Sequence, residues 1–209
     1  MYLPPHFKAD DPALAASVMR AHPFASLVSA GDDGLPFVTH LPLHVDGEGG
    51  RFVLWGHVAK PNPHWRLLQA RPRALVTFLG AHGYQSPSIY ADKQRVPSWN
   101  YLAVHCEVEA RLVEDAQAKD DLLKKLIGDH EPPYAEQWRG LGEEFATKML
   151  AGIVGLEFTV TRWECKLKLN QHRPESHQRM HATYAAGNEH ERELAQWMVR
   201  LGLVKEGTA

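Results

Sequence analysis

The chain has 209 residues, 44% of them apolar and 23% charged, with a formal charge of −2. That length supports one hydrophobic core with an appendage, and the composition is that of a globular chain rather than a disordered, fibrous or membrane one. The near-neutral balance argues against a sequence-independent grip on nucleic acid, which depends on clustered cations releasing counterions from phosphates.

Asp11 and Pro12 read as N-cap and first residue of a helix that ends near Ala21, before His22-Pro23. A strand over 24–29, a turn at Gly31-Asp32-Asp33-Gly34 and a strand over 37–45 follow. Asp46-Gly47-Glu48-Gly49-Gly50 forms another turn, and 51–55 a third strand, so the segment is a meander. Asn62 and Pro63 serve as N-cap and N1 of a short helix over 64–70, and 73–79 is the next strand. The polar stretch 83–97, with its Ser, Pro and Tyr residues, is long enough for a functional or mobile loop.

Over 99–113 the alternation has period two: Leu102, Val104, Cys106, Val108, Ala110 and Leu112 point one way, and Tyr101, His105, Glu107, Glu109 and Arg111 the other. Asp115 caps a helix over 116–127 that Pro132-Pro133 prevents from continuing. A second long strand, 153–169, changes phase. Val154, Leu156, Phe158 and Val160 are apolar first, then Trp163, Cys165, Leu167 and Leu169, which predicts a bulge or bend near Arg162. Asn188 and Glu191 resemble a capping box ahead of Leu194, Trp197, Met198 and Leu201, an amphipathic C-terminal helix. The expected architecture is mainly β with peripheral helices: an antiparallel barrel of about six or seven strands over 1–187, and a helix over 188–209 packed on it.

No apolar run approaches the roughly 18 residues of a membrane span, and Met1-Tyr2-Leu3-Pro4-Pro5 has neither the basic flank nor the apolar core of a signal peptide, so a cytoplasmic protein is expected. The 2 cysteines, Cys106 and Cys165, lie in strand-like stretches without ligand-spaced partners and read as buried thiols. The 13 histidines are scattered, and none forms a helical ligand pair, so no metal site is expected. Without G-x-G-x-x-G or a Walker sequence, a nucleotide cofactor would have to be held another way.

Five segments, in order, carry a family resemblance: Met1-Tyr2-Leu3-Pro4-Pro5-His6-Phe7; Thr39-His40-Leu41-Pro42; Gly56-His57-Val58-Ala59-Lys60-Pro61-Asn62-Pro63-His64-Trp65; Val96-Pro97-Ser98-Trp99-Asn100-Tyr101-Leu102-Ala103-Val104-His105; and Lys166-Leu167-Lys168-Leu169-Asn170-Gln171. They resemble those of the PaiB family of FMN-binding negative transcriptional regulators, with Asn170 in place of the family's Ser. The resemblance implies a split β-barrel related to pyridoxamine-phosphate oxidase and the flavin reductases. It also implies a homodimer with FMN at the subunit interface.

FMN needs cations or amides for its phosphate, polar groups for the ribityl chain, and flat apolar walls with a few donors for the ring. Lys60, with His57 three residues before it and Asn62 at the helix start, suits a phosphate cradle, or else is a solvated turn lysine. Thr39 and His40 precede Pro42, which confines the strand to an edge or bulge; His40 equally fits a sheet-bonded histidine, and the family likeness favours flavin. Trp99 suits a ring wall or a packing residue, and Asn100 a donor and acceptor. Lys168 suits phosphate or the reduced ring and Gln171 the pyrimidine edge, unless the lysines simply form a solvated strand face. The basic stretch 162–181 lacks a helix-turn-helix, so DNA contact has weak support. Three functions compete: a regulator sensing flavin, redox state or a metabolite; an FMN-dependent oxidoreductase; and a cofactor-free dimeric scaffold. No acid, base or nucleophile set decides among them, because the flavin ring itself performs the difficult steps.

Overall fold

The computed structural model describes residues 1–92 and 94–205. Its strands are β1 (Lys8–Ala9), β2 (Phe24–Ala30), β3 (Pro36–Pro42), β4 (His44–Glu48), β5 (Arg51–Ala59), β6 (Arg73–Gln85), β7 (Ser98–Val113) and β8 (Ile153–Lys168). The helices are α1 (Pro12–Ala21), α2 (His64–Ala70), α3 (Ala116–His130), α4 (Tyr134–Gly140), α5 (Glu143–Ala151), α6 (His177–Ala185) and α7 (Glu189–Arg200). The sheet follows the open order β3-β2-β6-β7-β8-β5-β4, with β1 paired to β8. Two compact units share these strands: a larger one of 11–78 and 105–163, and a smaller one of 1–10, 79–104 and 164 onward.

In the larger unit β2 pairs antiparallel with β3, from Phe24↔Pro42 to Ala30↔Pro36. The strand expected over 37–45 is in fact two. Pro42 has no N–H to continue the ladder, the Leu43 amide donates to the Pro23 carbonyl at 3.0 Å, and the chain then pairs with β5 as β4. The β4–β5 hairpin closes at Glu48↔Arg51. Its two turn residues, Gly49 and Gly50, have φ of 61° and 84°, the left-handed conformation that a two-residue hairpin demands. β5 runs on to Ala59 and pairs with β8 from Val53↔Thr159 to Ala59↔Ile153.

Local chemistry sets the helix starts. Asp11 accepts from the Ala13 amide at 2.8 Å, and Asp115 from the Ala118 amide at 2.9 Å. The helices α4 and α5 go beyond the elements expected from the sequence: α4 buries no residue, and α5 buries only Leu150 while Phe145 and Met149 stay exposed. Cys106 is a buried cysteine outside any disulfide, with its Sγ 3.8 Å from Met19 Sδ.

In the smaller unit the capping box forms as expected, with Glu191 N–H donating to Asn188 Oδ1 at 3.0 Å and Asn188 N–H to Glu191 Oε2 at 2.9 Å. Leu194, Ala195, Trp197 and Met198 of α7 are buried. Residues 206–209, the end of the expected C-terminal segment, lie outside the described residues. β6 extends to Gln85, and a 3-10 turn at Pro87–Ile89 follows, so the irregular stretch is shorter than the loop expected over 83–97. The phase change in β8 is present: Val154, Leu156 and Phe158 are buried in its first half, and Cys165 and Leu167 in its second, followed by buried Leu169. Burial pushes the free Cys165 thiol up to about 12.

Gly155 allows β8 to approach β7 closely, because a Cβ there would lie 2.9 Å from Val113 Cβ and 3.1 Å from Val113 O. Neither atom ends a flexible side chain. Gly155→Ala is expected to cost about 1–3 kcal/mol, read as a lower urea midpoint with an unchanged denaturant slope.

Candidate functional site

The expected site residues fall into two groups, one in each unit. In the larger unit, Thr39, His40, His57, Lys60 and Asn62 cluster around the β2–β3 hairpin, the end of β5 and the turn into α2. At the centre of this group is His64, fully buried at 0% exposure. Its Nδ1 lies 2.8 Å from Thr39 Oγ1 and its Nε2 2.9 Å from Ser29 Oγ. Asn62 Nδ2 donates to the same Thr39 oxygen at 3.2 Å, while Asn62 Oδ1 accepts from the His64 amide at 3.0 Å. Phe37 packs edge-on against the imidazole at 5.0 Å between ring centroids. Hydroxyls can donate or accept, so a neutral imidazole satisfies every member of this chain.

Thr39 and Asn62, expected at the cofactor, therefore hold His64 and the turn. Pro63 occupies the N-cap, and Asn62 stands one position before it. Since Asn62 Oδ1 already takes the His64 amide, that amide is not one this corner offers.

It offers Lys60 instead. The Lys60 amide donates to the Gly152 carbonyl at 2.8 Å, its carbonyl accepts from Trp65 Nε1 at 3.0 Å, and the Asn62 amide donates to Ala59 O at 2.8 Å. The side chain is exposed and, among the described residues, has no hydrogen-bond or ion-pair partner. A cation on a fixed backbone without an internal counter-ion fits a phosphate group. His57 shares a face of β5 with Trp55, opposite Gly155. Among the described residues His57 Nδ1 and Trp55 Nε1 are buried without hydrogen-bond partners, and burial lowers the His57 pKa. His40 is exposed, with Nδ1 3.0 Å from Ser26 Oγ and its ring 6.1 Å from that of Phe24.

In the smaller unit, Trp99 is half exposed; its Nε1 lies 3.4 Å from His82 Nδ1, and its ring 6.2 Å from that of Tyr84. Asn100 points into the core. Its Nδ2 donates to Tyr184 Oη at 2.8 Å and contacts Met180 Sδ at 3.2 Å, while its Oδ1 is buried without a partner. Lys168 Nζ donates to Ser98 Oγ at 2.8 Å and to the Trp99 carbonyl at 2.7 Å. Gln171 folds back on its own strand, accepting from the Leu169 amide at 2.9 Å and donating to the Leu167 carbonyl. Asn170, at the family's Ser position, has φ 61° and donates to Tyr90 Oη and Ser176 Oγ, both at 2.8 Å. Asn100, Asn170 and Gln171 thus act as internal fasteners in this structure. Sequence reasoning missed His64, although it stands inside the conspicuous Asn62-Pro63-His64-Trp65 run, and Tyr184, which carries no local signal.

Burial pushes the His64 pKa down from 6.5 to about 4. The folded imidazole is neutral, while the unfolded chain takes up a proton near 6.5. The stability it contributes is therefore complete above about pH 6.5 and is lost as the pH falls towards 4. Urea unfolding of wild type and His64→Gln at pH 7 and pH 4.5 should show wild type losing about 2–3 kcal/mol more than the variant across that interval.

Residues 1–162 match the family described as "Putative FMN-binding domain". The Bacillus subtilis "Protease synthase and sporulation protein PAI 2" is 32% identical over 179 residues, which cover 84% of each chain. Among solved structures, the flavocytochrome Anf3 from Azotobacter vinelandii superimposes with a TM-score of 0.62 at 18% identity, over 78% of this chain and 69% of that one. An FAD and heme binding protein from Mycobacterium smegmatis does so with a TM-score of 0.60 at 19% identity, over 77% and 73% of the two chains. These structures share the fold, an antiparallel sheet that stays open as a split barrel. The chain belongs to the PaiB-like FMN-binding domain family, and FMN is its cofactor.

Proposed function

We propose that this chain is a cytoplasmic, PaiB-like negative transcriptional regulator that senses flavin, redox state or a metabolite through bound FMN, and that it works as a homodimer. The observation that carries the flavin assignment is Lys60: an exposed ammonium without an internal partner, on a turn whose backbone is tied to Gly152 and Trp65. Lys60 would hold the FMN phosphate, with His57 beside it as a buried polar group in need of a partner. When bound, FMN supplies electron and hydride chemistry. The protein's task at this corner is to fix the phosphate and so set where the cofactor sits. The regulatory reading draws on the B. subtilis relative, whose name connects that protein with protease synthesis and sporulation.

The dimer reading rests on the outer face of the β2–β3 hairpin. Val28 faces Val38, Ser26 faces His40 and Phe24 faces Pro42 across the two strands. On this face Phe24 is 68% exposed and Val38 46%. Apolar side chains aligned on an edge hairpin suit burial against a second copy.

Two outcomes test these assignments. Lys60→Ala should weaken FMN binding to the apoprotein at least about tenfold, measured by quenching of flavin fluorescence; unchanged affinity would remove Lys60 from the phosphate. Val38→Lys should raise the dimer dissociation constant by about tenfold or more in sedimentation equilibrium while leaving the far-UV spectrum unchanged. Continuous anaerobic bleaching of bound FMN by a nicotinamide cofactor, with turnover on an acceptor, would instead make the protein an oxidoreductase.

A further inference from the structure

In the smaller unit β8 carries two lysines on one face, Lys166 and Lys168, and they are not the solvated pair that their spacing suggests. Lys166 is 95% buried, with 5% of its surface exposed. Its ammonium makes one hydrogen bond, to the Tyr2 carbonyl at 3.0 Å, and sits 5.1 Å from the Tyr101 ring centroid and 5.5 Å from that of Tyr2. Lys168 lies 5.9 Å from the same Tyr101 ring and 6.0 Å from that of Phe7, in addition to its bonds to Ser98 and Trp99. Among the described residues neither ammonium has a carboxylate within ion-pair distance. Glu164, on the same face of β8, pairs with the Met1 amino group.

A buried ammonium that lacks an anion is costly, and two on one strand face cost more. Their mutual repulsion is visible: burial and the charge of Lys166 both lower the Lys168 pKa. The surroundings add positive charge. The His172 pKa is lowered by burial and by the charges of His6, Arg173 and Lys168, and only Glu175 opposes them. The Tyr2 carbonyl supplies Lys166 with a partial negative charge where a full one would be far more favourable. It is held there by a segment that pairs with β8 at Lys8↔Lys166 and Ala9↔Cys165 and through the Met1–Glu164 ion pair.

We propose that Lys166 and Lys168, with the Ser98 hydroxyl beside Lys168 and the Tyr101 ring near both ammoniums, form a binding site for the oxyanion of a small ligand other than the flavin, a phosphate or carboxylate that replaces the Tyr2 carbonyl on Lys166. The two cations match a dianion, and the burial of Lys166 strengthens the charge interaction there. Lys60, in the other unit, is left for the FMN phosphate, so the site is a candidate for substrate or effector recognition by an FMN-binding protein.

The test uses inorganic phosphate as probe, followed by succinate to distinguish a phosphate site from a carboxylate site, titrated calorimetrically into the full chain before and after saturation with FMN. Saturable phosphate or succinate binding that weakens with added sodium chloride, persists with FMN bound, survives in Lys60→Ala and falls at least about tenfold in Lys166→Met/Lys168→Met is the expected result. Binding that vanishes once FMN is present would assign the lysines to the flavin's own phosphate and overturn the proposal of a separate ligand, whereas failure of FMN itself to bind leaves the phosphate titration interpretable on its own. Absence of saturable binding by either probe, or equal binding in the double variant, would also overturn it. Thermal unfolding of Lys166→Met adds an independent readout. Removing an uncompensated buried cation should raise the melting temperature, and a marked fall would show that the lysine serves packing alone.

Discussion

The arrangement of the larger unit's candidate site depends on one neutral imidazole. His64 enters the protein at the first residue of a two-turn helix, where its ring reaches past Phe37 to two hydroxyls on neighbouring strands. Because Ser29 and Thr39 belong to β2 and β3, the ring ties α2 to the hairpin, and Asn62 extends the tie to the turn. The arrangement is sound only while the ring carries one proton. A second proton would still find two hydroxyls able to accept, but it would leave a buried charge with no anion beside it, which is the costly step. The rigidity thus gained is what holds Lys60, three residues before Pro63, on a defined backbone rather than a flexible loop.

Polar groups are not equally well satisfied throughout the chain. Around His64 every donor finds an acceptor. Elsewhere there are debts: Asn100 Oδ1, His57 Nδ1 and Trp55 Nε1 are buried without partners, and Lys166 has a carbonyl where a carboxylate would be expected. Each such group costs about 1–3 kcal/mol, a sum that a marginally stable protein keeps where a ligand or a function repays it. Asn100 is the exception in kind. Its amide is committed to Tyr184 and Met180 of α6, so it stabilises the scaffold whether or not its oxygen is ever satisfied.

Much of the fold was legible in the sequence. Period-two alternation located β7, the change of phase in β8 was real, and the Asn188–Glu191 box set the start of α7. The errors share a cause. The stretch over 37–45 looks uniform in hydrophobicity, and only the pairing partner changes at Pro42, which no local pattern reports. The helices α4 and α5 bury little, and the apolar side of α5 is largely exposed at Phe145 and Met149. At the site, Lys60 stands out in the sequence as a cation in a turn, and the structure leaves its side chain exposed. Thr39, Asn62 and Asn100 could not be resolved the same way, since a polar side chain that binds a ligand and one that binds His64 or Tyr184 are written with the same letter. What the structure adds are tertiary partners 25 and 84 residues away.

The central claim is that this scaffold holds FMN by its phosphate. The measurement that tests it most directly is parallel titration of the purified apoprotein with FMN and with riboflavin, which differ only in that phosphate, followed by flavin fluorescence. The account predicts saturable binding of one FMN per chain and much weaker binding of riboflavin. Equal affinity for the two, or no binding of either, would contradict it.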